Sequence, residues 1–555
     1  MTRFICLFLL LLAPALASHD AHAYCAEQPG SYSLNRFVVG GTRHGQPIPV
    51  YVVTSGVNSV VADPAKVNFP DALGLSKSQV IEAVQEVARN LSETGANLRF
   101  QYAGELTSLT WREGVVIHTP DGSCGGWEDD WCSGGKCGSL VALCAGVPYV
   151  IDPYSDDVPT GTLSVHGGLL HEMTHSLGLN HLHQYCDPGN FTNDPNHCSE
   201  PGCSSRHFGA LNNWREFSTV DDILGFKFGF GTQARQVYGY SSPTGDAGTW
   251  TTLAFPNPIF TNVPMALSGA DNSFLGGASA LVTTDANDRL QISIDYGSGY
   301  QAPIPVGASG LGPLTYHRPA VAVGNGDVLV AWIHDEVDDL VPEIRMARYD
   351  ISSDSWAPTV EMTDVEGYFQ TIGLGYDSTN SVFLLSSRYQ GNAMGLVSVV
   401  DGLSSTALGI DYLIGSLWNP VPLRQLGKTG CHYDSSLGDE RCYTAAAART
   451  DGLYLVRGDI SFPDYVYRGV IYYDTKNSYG LTDSVVSPSG AILTARAIST
   501  HNVWIEKYDS YGGASAPVLS PATYDWPSAV GLRTTWYRCG FYFCSSRQYH
   551  VVTAD

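Results

Sequence analysis

The sequence predicts an α+β (α/β) domain followed by an all-β domain, and three observations predict it. An amphipathic helical run at residues 76–95 is set among strand-like segments. Residues 171–181, HEMTHSLGLNH, put two histidines at the four-residue spacing of one helix face. Beyond about residue 235 helical periodicity disappears, and short strand-like runs recur between glycine and aspartate turns. At 555 residues the chain exceeds what one hydrophobic core organises, so more than one domain is expected.

The first residues, MTRFICLFLLLLAPALA, combine a basic start, an apolar run too short to span a bilayer comfortably, and small residues at Ala15 and Ala17. This is the pattern of a secretory signal, with cleavage after Ala17 or, from Ala21-His22-Ala23, after Ala23. A secreted, extracellular chain with no membrane span is expected, with domains at 1–23 (signal), 24–235 and 236–555.

In SKSQVIEAVQEVARNLSETG, Val80, Ile81, Val84, Val87, Ala88 and Leu91 fall on one helical face. Ser76 with Gln79 forms a capping box and Gly95 suits the stop. Strands are expected at PIPVYVVTS from Pro47, LRFQYAG from Leu98, GVVIHTP from Gly114 and VPYVIDP from Val147. In the second half, segments from Ala278, Arg318, Gly373 and Ala445 each pair a strand, a polar turn and a second strand. Their uneven spacing suits a β-propeller of about six blades with loop insertions, with a pair of β-sandwiches as the alternative.

Of 13 cysteines, loss of Cys6 with the signal leaves twelve, an even number for an oxidising compartment, so disulfides are expected. Cys124, Cys132, Cys137 and Cys144 form one cluster and Cys186, Cys198 and Cys203 another, while Cys431/Cys442 and Cys539/Cys544 are close pairs. A net charge of −24 argues against nucleic acid or anionic lipid as a partner.

The chemistry lies at 171–181. His171 and His175 on one helix face can share one zinc ion, with Glu172 placed to take a proton from water as general base. Gly178 allows the chain to double back and present His181 as third ligand, which leaves an open coordination position. These residues predict a zinc metalloendopeptidase, with one catalytic Zn2+ and protein or peptide substrates. Calcium is left unassigned, because the acidic clusters Glu128, Asp129, Asp130 and Asp152, Asp156, Asp157, read as loop residues, are equally explained by solvation. His166 and His183 lie off the motif's spacing and are read as surface or supporting residues.

The motif resembles that of the metzincin zinc metallopeptidases, and within them the matrixins and bacterial matrixin-like secreted peptidases. The resemblance covers about residues 45–235, and STVDDILGFKFGFG at 218–231 is similar to the matrixin segment that forms the closing helix. It implies a twisted sheet, an active-site helix from about Thr162 to Leu177, and a substrate cleft with zinc at its floor. The chain departs from the family at Gly209-Ala210-Leu211-Asn212, where Asn212 stands at the turn methionine's position, and Met265 is read as part of the second domain. TGDAGTW at 244–250 and SSDSWAP at 352–358 resemble the aspartate-box turns of sialidase-like propellers.

The propeller is expected to target a substrate or surface, with a glycan among its candidate ligands. Two other readings compete. One is a binding or adhesion protein with an inactive metallopeptidase domain. The other is a propeller glycosidase, for which Arg318, Arg345, Arg449 and Arg457 are candidates by residue type.

Overall fold

The computed structural model describes residues 47–61, 73–120, 127–133, 136–143, 149–150, 163–177, 226–227, 230–232 and, from 234 on, the strands of the C-terminal half with the shorter of their turns. The signal region, Gly178, His181, His183, Asn212 and the acidic residues 152–157 lie outside the described residues.

The N-terminal unit is a mixed sheet with two helices. Its elements are β1 (Ile48–Val53), α1 (Lys77–Ser92), β2 (Phe100–Leu106), β3 (Val115–His118), β4 (Trp127–Ser133), β5 (Lys136–Ala142), β6 (Tyr149–Val150), β7 (Leu163–Ser164) and α2 (Val165–Ser176). The five long strands run in the order β2-β1-β3-β5-β4, with only β4 antiparallel to its neighbour. Alternation along β1 sends Ile48, Val50 and Val52 into one core with Val80, Val84, Val87 and Leu91 of α1 and Leu169, Leu170 and Met173 of α2. Both helices therefore cover one face. Phe226 and Phe230, from the segment expected to close the domain, are buried in the same core.

The expected capping box is present: Gln79 N–H donates to Ser76 Oγ at 3.3 Å, and Ser76 N–H donates to Gln79 Oε1 at 2.9 Å. The sequence reading of Glu128, Asp129 and Asp130 as loop residues is corrected, because all three belong to β4. Acidic residues suit the edge of a sheet, where charge discourages pairing with another chain. The bounds of β4 and β5 leave only Gly134 and Gly135 between them, a two-residue hairpin signal that the polar composition obscured.

The C-terminal half is a β-propeller. Five antiparallel sheets draw their strands from consecutive sequence, at residues 266–305, 320–361, 369–414, 423–474 and 482–519, here the first to fifth blades. A further sheet closes the ring by joining the ends of this half: Ala529–Cys539 and Tyr542–Ala554 pair onward to Arg235–Ser242, which also carries Thr251–Leu253 and Phe260–Thr261. The first strands of successive sheets touch one another around the ring, and Ala529–Cys539 returns to Ala266–Gly269. Met265 is buried among propeller residues.

The four expected strand pairs are all propeller hairpins. Both aspartate-box-like segments lie where the third strand of a sheet turns towards an outer strand, and each sends its tryptophan inward. Trp250 packs against the core between the fifth blade and the closing sheet, and Trp356 packs on Tyr349. Cys431 and Cys442, opposite each other on neighbouring strands, form a disulfide.

A β-bulge in the fourth blade carries Lys428, which reaches across the axis to the carbonyl of Leu267 in the first blade and lies 3.4 Å from Asp483 of the fifth. Burial lowers the Lys428 ammonium below its ordinary value, against the pull of Asp483.

The two units interlock. The buried guanidinium of Arg235, first residue of a propeller strand, donates to Ser92 O at the end of α1 at 3.2 Å, and just before it Asn97 N–H donates to Gly231 O at 2.7 Å and Ala96 bridges Thr232 within the N-terminal unit. Gly95 sits at this junction with φ +79°, and a Cβ there would stand 2.8 Å from Asn262 O.

Candidate metal centre

α2 opens directly from β7 and ends against β5, where Ser176 Oγ accepts from Ser139 Oγ–H at 3.0 Å. The expected helix, from about Thr162 to Leu177, thus corresponds to Val165–Ser176. Near its C-terminal end, His171 Nε2 and His175 Nε2 stand 3.2 Å apart with their rings nearly perpendicular, at 80°. Ligand atoms of His171, Glu172 and His175 all lie within 4.8 Å of one another, and among the described residues no other group of three His, Cys, Asp or Glu side chains converges in this way. His171 and Glu172 are buried and His175 is partly exposed, so the group opens on one side.

Two imidazole nitrogens that share one tetrahedral zinc, each at about 2.05 Å, stand about 3.3 Å apart. The observed separation meets that requirement, and two imidazole nitrogen donors beside a carboxylate suit zinc better than magnesium or calcium. His171 and His175 therefore fit a zinc ion. His181, the expected third ligand, lies outside the described residues.

Of the two roles expected for His166, surface or supporting, the structure shows the supporting one. His166 is 1% exposed, and its Nε2 lies 2.8 Å from Glu86 Oε2 of α1, which is equally buried. Five residues before His171, His166 lies roughly 160° around the helix from the midpoint of His171 and His175. The Glu86–His166 pair thus fastens the back of α2 to α1 while the front carries the candidate ligands. No local spacing signals a pair 80 residues apart.

Of the arginines suggested for a propeller glycosidase, two fall among the described residues, on different blades. Arg345 is in the second blade and Arg457 in the fourth, while Arg318 and Arg449 lie outside the described residues. Arg457 instead neighbours Arg441, which the sequence reading did not single out.

No known family profile and no curated protein matches the chain. Among solved structures, the chain is similar to the fucose-recognising lectin of Aleuria aurantia, a six-bladed β-propeller, with a TM-score of 0.38 and 12% identity over 52% of this chain and 96% of the lectin. A lectin from Burkholderia pseudomallei gives 0.33 and 13%, over 49% and 75%. An α-L-arabinofuranosidase from Podospora anserina gives 0.27 and 12%, over 43% and 89%. Likeness at this level says nothing about activity, and the propeller assignment rests on the sheet topology. Among the described residues no helix is long and apolar enough to cross a membrane.

Proposed function

We propose that the chain is a secreted zinc-dependent endopeptidase of metzincin type, with His171, His175 and His181 as metal ligands, Glu172 as general base and the propeller as a binding module. One observation carries the reading: the 3.2 Å convergence of two imidazole nitrogens beside a buried carboxylate on a helix anchored at its back. His181 enters through motif spacing alone.

Zinc bound there would supply Lewis acidity, polarising a peptide carbonyl and making water more acidic. Glu172 receives a proton from the water that attacks the carbonyl carbon and returns it to the departing amine nitrogen as the C–N bond breaks. Its burial excludes bulk water, and the partly exposed side at His175 is where an extended substrate enters.

A second reading makes the propeller the working part, as a binding protein or a glycosidase, with the metal unit inactive. The closed propeller topology is the observation that favours it. Chelator-sensitive cleavage of casein, retained zinc and lost cleavage in Glu172→Gln support the peptidase. A metal-free chain without cleavage, or undiminished activity in Glu172→Gln, refutes it.

A further inference from the structure

β5 carries a polar residue where the sheet faces its helices. Val141 points into the core shared with α1 and α2, and Ser139, two residues earlier, points the same way by strand alternation. Ser139 is 2% exposed, and Ser176 at the end of α2 is fully buried. Alanine would suit either place in the core, so two hydroxyls there call for a reason.

The hydroxyls form a directed chain. Ser139 Oγ–H donates to Ser176 Oγ at 3.0 Å, which leaves the Ser176 proton to donate to the carbonyl of Glu172 at 3.1 Å. The chain runs from the sheet, through the last residue of α2, to the backbone between the candidate ligands His171 and His175.

At this place the geometry of the helix changes. Leu177 N–H donates to Thr174 O at 3.1 Å, closing a turn over three residues rather than four. In a helix of that tighter kind, residues four apart lie about 120° round the axis from each other, against about 40° in an α-helix. His171 and His175 hold their nitrogens 3.2 Å apart only while the turn between them stays α-helical. One step of tightening towards the N-terminus would draw Ser176 N–H to Met173 O and carry His175 out of line. The Ser176 hydroxyl, fixed on the carbonyl four residues back, opposes that step, and Ser139 keeps the hydroxyl aimed. Back-bonding of this kind slightly weakens a helix, so its effect here is on position rather than on stability.

We infer that Ser139 and Ser176 are positioning residues of the metal centre, a clamp that stops the tightened end of α2 from spreading to the two histidines. This role rests on the metal centre proposed above. It gives α2 a second hold, from the sheet and at the end bearing the candidate ligands, beside the one that Glu86 supplies from α1 at His166.

Three measurements on the full chain test it. Chelator competition gives zinc affinity, the visible absorption of cobalt(II) put in place of zinc reports ligand geometry, and urea unfolding of the metal-free chain gives stability. Ser176→Ala should bind zinc about tenfold more weakly and shift the cobalt absorption. Ser139→Ala should show a smaller loss, because the Ser176 hydroxyl can still reach Glu172 O. The double variant Ser139→Ala/Ser176→Ala removes donor and acceptor together. It should lose as much zinc affinity as Ser176→Ala while its metal-free stability stays near wild type, a combination that a merely structural role does not produce. Wild-type zinc affinity and cobalt absorption in Ser176→Ala and the double variant overturn the clamp and leave the metal centre standing, as does a fall in zinc affinity matched by destabilisation of the metal-free fold. A wild-type chain that takes up neither zinc nor cobalt overturns the metal centre itself, and the clamp with it.

Discussion

Replacing Glu86 and His166 by leucine, singly and together, tests whether the back of the helix carrying the candidate metal ligands is held by their pair. The two groups are 1% exposed and 2.8 Å apart, so neither single variant lets water take the lost partner's place. Breaking a buried pair by removing one member costs about 3–5 kcal/mol when the survivor stays charged. The double variant replaces both polar groups with apolar ones and escapes much of that penalty. The coupling between the two sites should therefore be about 1.5–3 kcal/mol, so that the double variant is more stable than the sum of the singles predicts. Urea unfolding gives the stabilities, and chelator competition gives zinc affinity. Zinc affinity should fall by about tenfold or more in the singles, since a rotated α2 carries His171 and His175 together away from the proposed third ligand. A coupling below about 0.5 kcal/mol together with wild-type zinc affinity would refute the claim that the pair positions the helix.

Two further expectations concern the rest of the chain. Gly95→Ala forces a side chain into a left-handed conformation and against Asn262 O, so thermal unfolding should show a loss of about 2 kcal/mol or more; wild-type stability would mean that the junction is looser than described. Asp246 is held below its ordinary value of 3.8 by its bond with Thr244 and then by Lys507 at 3.1 Å. Its contribution is complete above 3.8 and disappears as pH falls through its lowered folded value, so Asp246→Asn should cost stability at neutral pH and nothing in strong acid; an equal cost at both would show that charge is not involved.

What the sequence made legible was local. Ser76 and Gln79 lie three residues apart and His171 and His175 four, and such spacings translate directly into a cap and a shared helix face. Glu86 and His166 meet only after two helices pack, and Arg441 meets Arg457 only through strand register, so neither pair leaves a local pattern. The strand β4 was missed because an acidic edge strand lacks the apolar alternation that marks strands covered on one face. Closure of the propeller by pairing Arg235–Ser242 with Tyr542–Ala554 joins segments roughly three hundred residues apart, and loop-closure cost grows too slowly with length to mark such a partner in the sequence.

The strand that closes the ring is also the one that leaves the metal unit, and its first residue, Arg235, reaches back to the end of α1. Under the proposed function, tension on a substrate held by the propeller would pass along the zipper strand into α1, and through Glu86 and His166 to the helix bearing the candidate ligands. If the chain is the peptidase proposed above, pull on an anchored substrate would be felt at the site of cleavage.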